Sequence, residues 1–178
     1  VTHAAYASAV VINSGIAIAC TGKIGYEYCK DTAKAAADEL NIPEDAVLLA
    51  STGVIGMQLP MERIKNGIKQ LAGVKADSRE AAHHAAQAIM TTDTISKEIA
   101  VEIEIDGVTV TIGAMSKGSG MIHPNMCTML SFVTTDIAIS KELLQSALSE
   151  NVQDTFNMIS VDGDTSTNDT LIVMANGL

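Results

Sequence analysis

Three polar, glycine-rich stretches carry the residue types that could do chemistry. They are Ser51–Gly56 (STGVIG), Ser116–Gly120 (SKGSG) running on to Thr128, and Asp162–Asp169 (DGDTSTND). Each follows an apolar segment, and binding or catalytic groups are often built at such places. Because glycines after a strand are usually only turns, none of the three stretches predicts an activity by itself.

Thr128 stands between a polar loop and the apolar segment that begins at Met129. A hydroxyl at this junction is well situated to attack the carbonyl carbon of Cys127, which would turn the peptide into an ester. Water would then split the ester and leave a chain that begins with Thr128. Its free α-amine, with an ordinary pKa of about 7.7–8, could act as the base for its own hydroxyl. The alternative from chemistry alone is that Thr128 is only a β-branched strand residue.

Strand-like and helix-like segments alternate along the chain, which predicts a mixed α/β fold. The predicted strands are Ala7–Asn13, Ala46–Ala50, Ile99–Ile105 and Val108–Ile112, and the predicted helices are Tyr26–Leu40, a segment after Pro60 that runs to Leu71, Ser78–Met90 and Lys141–Val152. Asp106-Gly107 predicts a tight primed turn between two strands of a hairpin. Without an internal repeat or a linker, residues 1–178 are expected to be a portion of a single α/β domain.

Composition argues against several classes of function. Hydrophobic residues make up 47 % of the 178 residues, which is enough for a substantial core. The net charge of −10 and an aromatic content of 3 % disfavour nucleic acid and anionic membranes as partners. No apolar run reaches the roughly 20 residues that span a bilayer. The spacing of Cys20, Cys29 and Cys127 indicates neither a disulfide framework nor a zinc site, so we expect free thiols and a cytoplasmic protein.

Five blocks of sequence together cover nearly the whole chain. They are Val11–Gly15 with Ala19–Gly22, Ala50–Gly56, Ala88–Thr94, Lys117–Leu130 (KGSGMIHPNMCTML) and Ser160–Thr170. In this order they closely resemble the ornithine acetyltransferase family, whose members are also glutamate N-acetyltransferases. The resemblance implies a layered α-β-β-α sandwich of the self-processing type. It also implies that the chain is a central fragment, since members of the family are much longer.

The resemblance implies cleavage between Cys127 and Thr128, so that residues 1–127 match the end of the family's α chain and residues 128–178 the start of its β chain. The reaction it implies moves an acetyl group from N-acetylornithine to glutamate, in arginine biosynthesis, by a ping-pong route through acetylated Thr128. Acetyl-coenzyme A as a second donor stays open, and no other cofactor and no metal are expected. The two cleavage products are expected to pair as a heterodimer and to oligomerise further.

Four more roles follow from the resemblance. Thr52 and Gly53 match the pair that forms the oxyanion hole, where pre-aimed donors stabilise the tetrahedral intermediate. Thr91 and Lys117 match positions that contact the substrate, with Lys117 supplying a positive charge for a carboxylate. This chain departs from the family pattern at Ile16 and Ile18, where asparagines are usual.

Two other classes of function remain open from the residues. Asp162, Asp164 and Ser166 after an apolar run resemble the first motif of haloacid-dehalogenase-type phosphatases, which hold Mg²⁺ between two aspartates. That motif opens its domain, however, whereas here it lies near the end of the chain. A non-catalytic relative that has lost the chemistry is the third class, and self-cleavage would distinguish it from the enzyme.

Overall fold

The computed structural model describes residues 6–123 and 129–178. The chain forms two compact units, the first ending at Ala85 and the second beginning at Ala86, so the division lies within a helix. The prediction of a single domain portion, with residues 1–127 and 128–178 matching two chains of the family, stays a prediction.

The first unit is built on a parallel pair of strands. Its elements are β1 (Ala9–Ile16), α1 (Gly22–Leu40), a 3₁₀ helix (Glu44–Ala46), β2 (Val47–Val54), α2 (Met61–Val74) and the start of α3 (Arg79–Ala88). β1 and β2 pair in register from Ala9 opposite Val47 to Ile16 opposite Val54. Parallel neighbours need a crossover connection, which α1 supplies.

The core of this unit lies between the strand pair and two helices. Ala36 and Ala37 of α1, Val47 of β2 and Ile68 of α2 are buried together. Small alanines let α1 approach closely, and burial of a side chain such as Ile68 contributes about 1.5–3 kcal/mol. α1 ends at Asn41, whose left-handed φ of 54° lets its N–H reach the carbonyl of Ala37. Helices often end in this conformation at glycine or asparagine.

The second unit is built on a four-stranded sheet. It contains β3 (Lys97–Ile105), β4 (Val108–Lys117), β5 (Leu130–Thr135), α4 (Lys141–Asn151), a 3₁₀ helix (Phe156–Met158) and β6 (Thr170–Ala175). The strand order is β3-β4-β5-β6, with antiparallel pairs except for the parallel pair of β5 and β6. The predicted hairpin is confirmed, since Asp106 and Gly107 both have positive φ, as a primed turn requires.

Two strands run further than the sequence predicts, and both extensions carry site residues. β2 continues past Ala50 through Ser51, Thr52 and Gly53, because β1 supplies hydrogen-bond partners along that length. β4 continues past Ile112 to Lys117, because β5 pairs with it up to Leu130. Local composition typical of a loop is overridden in both cases by a neighbouring strand. In the part of the chain that the structure describes, no helix is both long enough and apolar enough to cross a membrane.

Candidate active site

Thr52 and Gly53 lie at the carboxyl end of β2, next to the carboxyl end of β1. Thr52 stands opposite Ser14 and Gly53 opposite Gly15 in the parallel register. The Thr52 side chain is almost fully buried, whereas Gly53 is exposed. Ligands of α/β proteins commonly bind at the carboxyl ends of parallel strands. A backbone N–H at Gly53 and a hydroxyl at Thr52 are the kinds of donor that stabilise an oxyanion.

Glycine is required at position 53 by both conformation and space. Its φ of +128° lies in the region that side chains rarely adopt. A Cβ at this position would lie 2.2 Å from the carbonyl carbon of Gly15 and 2.3 Å from its oxygen. Gly15 itself has a φ of +116°. Gly53 therefore allows the backbones of β1 and β2 to come close where the strands end, whereas at Gly15 only the positive φ favours glycine.

The loops that follow the two strands are tied to each other. The N–H of Ala17 donates to the carbonyl of Val54 over 2.9 Å, and the N–H of Gly56 donates to the carbonyl of Ala19 over 2.9 Å. The Ser51 hydroxyl accepts the N–H of Ile18 over 3.0 Å. These bonds hold the backbone around Gly53 in one conformation.

Ile16 and Ile18 lie in different surroundings. The carbonyl of Ile16 accepts the Asn13 side-chain amide over 2.7 Å, so the backbone here is held by a neighbouring polar side chain. Ile18 lines a mostly apolar cavity of about 130 Å³, together with residues such as Leu49 and Ile68. The Ile18 side chain thus contributes to the apolar lining of this cavity.

Thr91 and Lys117 are brought together in the second unit. Lys117 is the last residue of β4, and Thr91 lies in the segment between α3 and β3. The Lys117 ammonium group donates to the Thr91 hydroxyl over 2.8 Å. Lys117 is only 2 % exposed, which is unusual for a lysine. Lys117 is therefore a buried strand residue, whereas the sequence alone favours a solvated lysine in a loop.

Asp93 organises the backbone around this pair. Its buried carboxylate accepts the Lys97 ammonium over 2.6 Å and the N–H of Gly118 over 2.8 Å, both at Oδ1. Gly118 directly follows Lys117, so Asp93 holds the end of β4 against the segment that carries Thr91. The hydroxyls of Thr92 and Ser119 lie 2.6 Å apart and join the same two segments.

Burial and neighbouring polar groups shift the pKa values of Lys117 and Asp93. Burial lowers the pKa of Lys117, as does the nearby charge of Lys97, while the charge of Asp93 opposes the shift. Burial by itself would raise the pKa of Asp93, but the bonds from Lys97 and from the Gly118 N–H outweigh it, and the pKa is lowered. Two lysines and one aspartate leave a positive charge uncompensated within this group of three. That charge could receive a carboxylate.

Thr128 and Cys127 lie outside the described residues, so their predicted roles stay predictions. The sequence model of the ArgJ family matches residues 1–178. The chain belongs to the ArgJ family.

Relatives from several bacteria are similar over nearly all of this chain. The arginine biosynthesis bifunctional protein ArgJ of Symbiobacterium thermophilum is 56 % identical over 96 % of the chain, and that of Oceanobacillus iheyensis is 49 % identical over 99 %. In both cases the match covers 42 % of the relative. The chain thus spans less than half the length of these ArgJ proteins.

Solved structures of the ArgJ family share this fold. The crystal structure of ArgJ from Bacillus halodurans gives a TM-score of 0.61 with 47 % identity, covering 65 % of this chain and 60 % of that one. Ornithine acetyltransferase from Mycobacterium tuberculosis, solved in complex with ornithine, gives 0.58 with 33 % identity, covering 65 % of this chain and 61 % of that one. This likeness confirms the predicted fold class, an α/β fold of the ornithine acetyltransferase type.

Three aspartates of this ArgJ chain have structural roles that the sequence does not predict. Asp93 lies in the block Ala88–Thr94, but nothing in the sequence indicates that its carboxylate is buried. Asp162, offered as a phosphatase nucleophile, accepts the backbone N–H groups of Met121 and Ile122. Asp169 accepts the N–H of Met129. Within residues 6–123 and 129–178, no group of three or more His, Cys, Asp or Glu is placed to hold a metal ion, and no finding supports the phosphatase alternative.

Proposed function

We propose that the ArgJ protein to which this chain belongs moves an acetyl group from N-acetylornithine to glutamate in arginine biosynthesis. The observation that carries the proposal is the buried Lys117 ammonium beside the Thr91 hydroxyl, in a chain that belongs to the ArgJ family. Both proposed substrates carry a carboxylate, and a buried ammonium next to a hydroxyl suits a carboxylate well. The ornithine in the neighbour's crystal structure is a ligand of the same chemical class.

The proposed activation step creates the nucleophile. The Thr128 oxygen attacks the carbonyl carbon of Cys127, and the peptide nitrogen leaves as an amine, so the amide becomes an ester. Water hydrolyses the ester, which leaves a carboxylate on Cys127 and a free amine on Thr128. The amine then serves as the base for the hydroxyl of the same residue.

The proposed transfer takes two steps. Thr128 attacks the acetyl carbonyl of N-acetylornithine, its hydroxyl proton passes through the amine to the leaving nitrogen, and ornithine departs. The amine of glutamate then attacks the acetyl ester, and N-acetylglutamate departs as Thr128 recovers its proton. Negative charge on the acyl oxygen in both steps would be stabilised by the Gly53 N–H and the Thr52 hydroxyl. Loss of one such donor typically costs ~10²–10³ in rate.

Acetyl-coenzyme A is the second donor that we propose. The relatives are named bifunctional, which favours a second activity, and acetylation of glutamate would use the same acetyl-threonine. We further propose that the two cleavage products stay together as a heterodimer that oligomerises, in the cytoplasm, without nucleic acid or membrane as partner.

The test of activation is the intact mass of the whole gene product that contains this chain, measured under denaturing conditions. We expect two pieces for the parent, whose masses add up to the uncut chain plus one water. Thr128→Ala should remain whole, because it lacks the attacking oxygen. Thr111→Ala, an exposed threonine on β4, is the matched control and should be cut like the parent. Cleavage of Thr128→Ala would remove Thr128 from the mechanism.

The test of transfer uses one substrate at a time. Incubation with N-acetylornithine alone should add one acetyl group to the piece that begins with Thr128, and later addition of glutamate should remove it. Acetyl-coenzyme A alone should give the same adduct. Acetyl transfer to glutamate without any adduct on this piece would contradict the ping-pong route.

A further inference from the structure

Two carboxylates near the end of the chain bind backbone on either side of the segment that contains the proposed cleavage site. The first is Asp162. Its Oδ2 accepts the N–H of Met121 over 2.6 Å, and its Oδ1 accepts the N–H of Ile122 over 3.0 Å. The N–H of the preceding residue, Val161, donates to the carbonyl of Ile122 over 2.8 Å. Three bonds thus join this loop to the backbone just upstream.

The second carboxylate is Asp169, which binds the backbone just downstream. Its Oδ1 accepts the N–H of Met129 over 2.9 Å. The N–H of Thr170 donates to the carbonyl of the same methionine over 3.0 Å, and the parallel pairing of β5 with β6 begins there, at Leu130 opposite Thr170. Both polar groups of the Met129 backbone are therefore held.

The pKa values of the two carboxylates shift in opposite directions. The N–H of Met121, more than any other group, lowers the pKa of Asp162, because its hydrogen bond stabilises the carboxylate. Burial raises the pKa of Asp169, although the Met129 N–H and the Ser166 hydroxyl oppose the shift. Each carboxylate accepts hydrogen bonds from backbone N–H groups about 40 residues away in the sequence, so these bonds are tertiary contacts rather than local turns.

We propose that Asp162 and Asp169 are positioning residues for self-cleavage. By holding Ile122 and Met129, they fix the backbone before and after the bond between Cys127 and Thr128. Attack of a hydroxyl on the neighbouring carbonyl is intramolecular, and its rate depends on how often the backbone has the reacting geometry. Loss of an anchor releases Ile122 or Met129 from its place, which lowers the share of molecules that have the reacting geometry. This inference rests on the proposed cleavage.

The variant Asp162→Asn tests the upstream anchor. It replaces one of two accepting oxygens by an amide donor, which would face a backbone N–H. Asp164→Asn is the matched control, because it makes the same change of charge in the same exposed loop, while the bond to Asp162 comes from its backbone N–H. The whole gene product is synthesised in a short pulse, and the loss of the uncut chain is followed by intact mass.

We expect the parent and Asp164→Asn to be cut at the same rate, and Asp162→Asn to be cut about 10- to 100-fold more slowly, as a misplacement of about 1 Å can cost. Asp169→Ala, which removes the downstream anchor, should also be slow. Once cut, Asp162→Asn should show the parental kcat and KM for acetyl transfer. Parental transfer by the slowly matured enzyme separates positioning for cleavage from general damage to the fold.

Each outcome bears on one claim. If the parent is not cut, the proposed activation and this inference both fail. If the parent is cut and both Asp162→Asn and Asp169→Ala keep its rate, only the inference is overturned. Should Asp162→Asn lower the melting temperature on the uncuttable Thr128→Ala background, Asp169→Ala decides alone, and parental cleavage in that variant refutes the proposal.

Discussion

Replacing Gly53 by alanine should damage the close approach of β1 and β2. The new Cβ would lie 2.2 Å from the carbonyl carbon of Gly15 and 2.7 Å from its Cα. These are backbone atoms, so no side-chain rotation can relieve the clash. Contacts between carbon atoms are favourable at about 3.5–4.0 Å, so one strand end must move by roughly 1 Å.

Two costs add in the Gly53→Ala variant. Forcing a group into a packed site costs about 1–3 kcal/mol. The φ of +128° puts alanine in a region that costs about 1–3 kcal/mol for residues other than glycine. The expected loss of about 2–6 kcal/mol is a large part of the 5–15 kcal/mol that typically stabilises a protein.

The assay is the free energy of unfolding of the whole gene product in denaturant titrations, with Gly67→Ala as the control. Gly67 lies within α2, where an added Cβ meets nothing within 4 Å. There alanine should leave stability unchanged or raise it by about 0.5–1 kcal/mol. If Gly53→Ala loses less than about 1 kcal/mol of this free energy, the close approach of the strands at Gly15 is wrong.

Further predictions concern the cluster around Asp93. Asp93→Ala should lower the free energy of unfolding by about 1–3 kcal/mol in denaturant titrations, because the buried Gly118 N–H loses its acceptor. Asp38 forms an exposed ion pair with Lys34, so Asp38→Ala should cost less than about 0.5 kcal/mol. Because the pKa of Asp93 is lowered in the folded protein, its carboxylate contributes stability above its unfolded pKa of about 3.9. This contribution should disappear in melting curves as the pH falls through the folded pKa. A difference in melting temperature between the parent and Asp93→Ala that stays constant into acid would contradict this. Lys117→Met keeps the size but removes the charge, so KM for the acetylated substrate should rise about 10- to 100-fold in steady-state assays, while Lys69→Met, on the exposed face of α2, should behave as the parent.

Much of the secondary structure was predictable because it depends on local chemistry. Asp106-Gly107 requires positive φ at two successive residues, and only a primed hairpin turn uses that pair between alternating strands. The helix after Pro60 and the helix from Lys141 follow from apolar spacing, and both appear where expected. The ends of β2 and β4 were not predictable, since their last residues resemble loops and become strand only because β1 and β5 pair with them.

The sequence by itself determined the family, the α/β class and the residue types available for chemistry, because blocks such as Lys117–Leu130 are specific strings that do not depend on the fold being known. Only the tertiary structure decided which groups meet. It joined Lys117 to Thr91 and placed the buried Asp93 carboxylate against the backbone N–H of Gly118. It also turned Asp162 from a candidate metal ligand into an acceptor for backbone N–H groups. The physical reason is that burial and hydrogen-bond partnership across about 25–40 residues arise from chain packing, which local sequence does not encode.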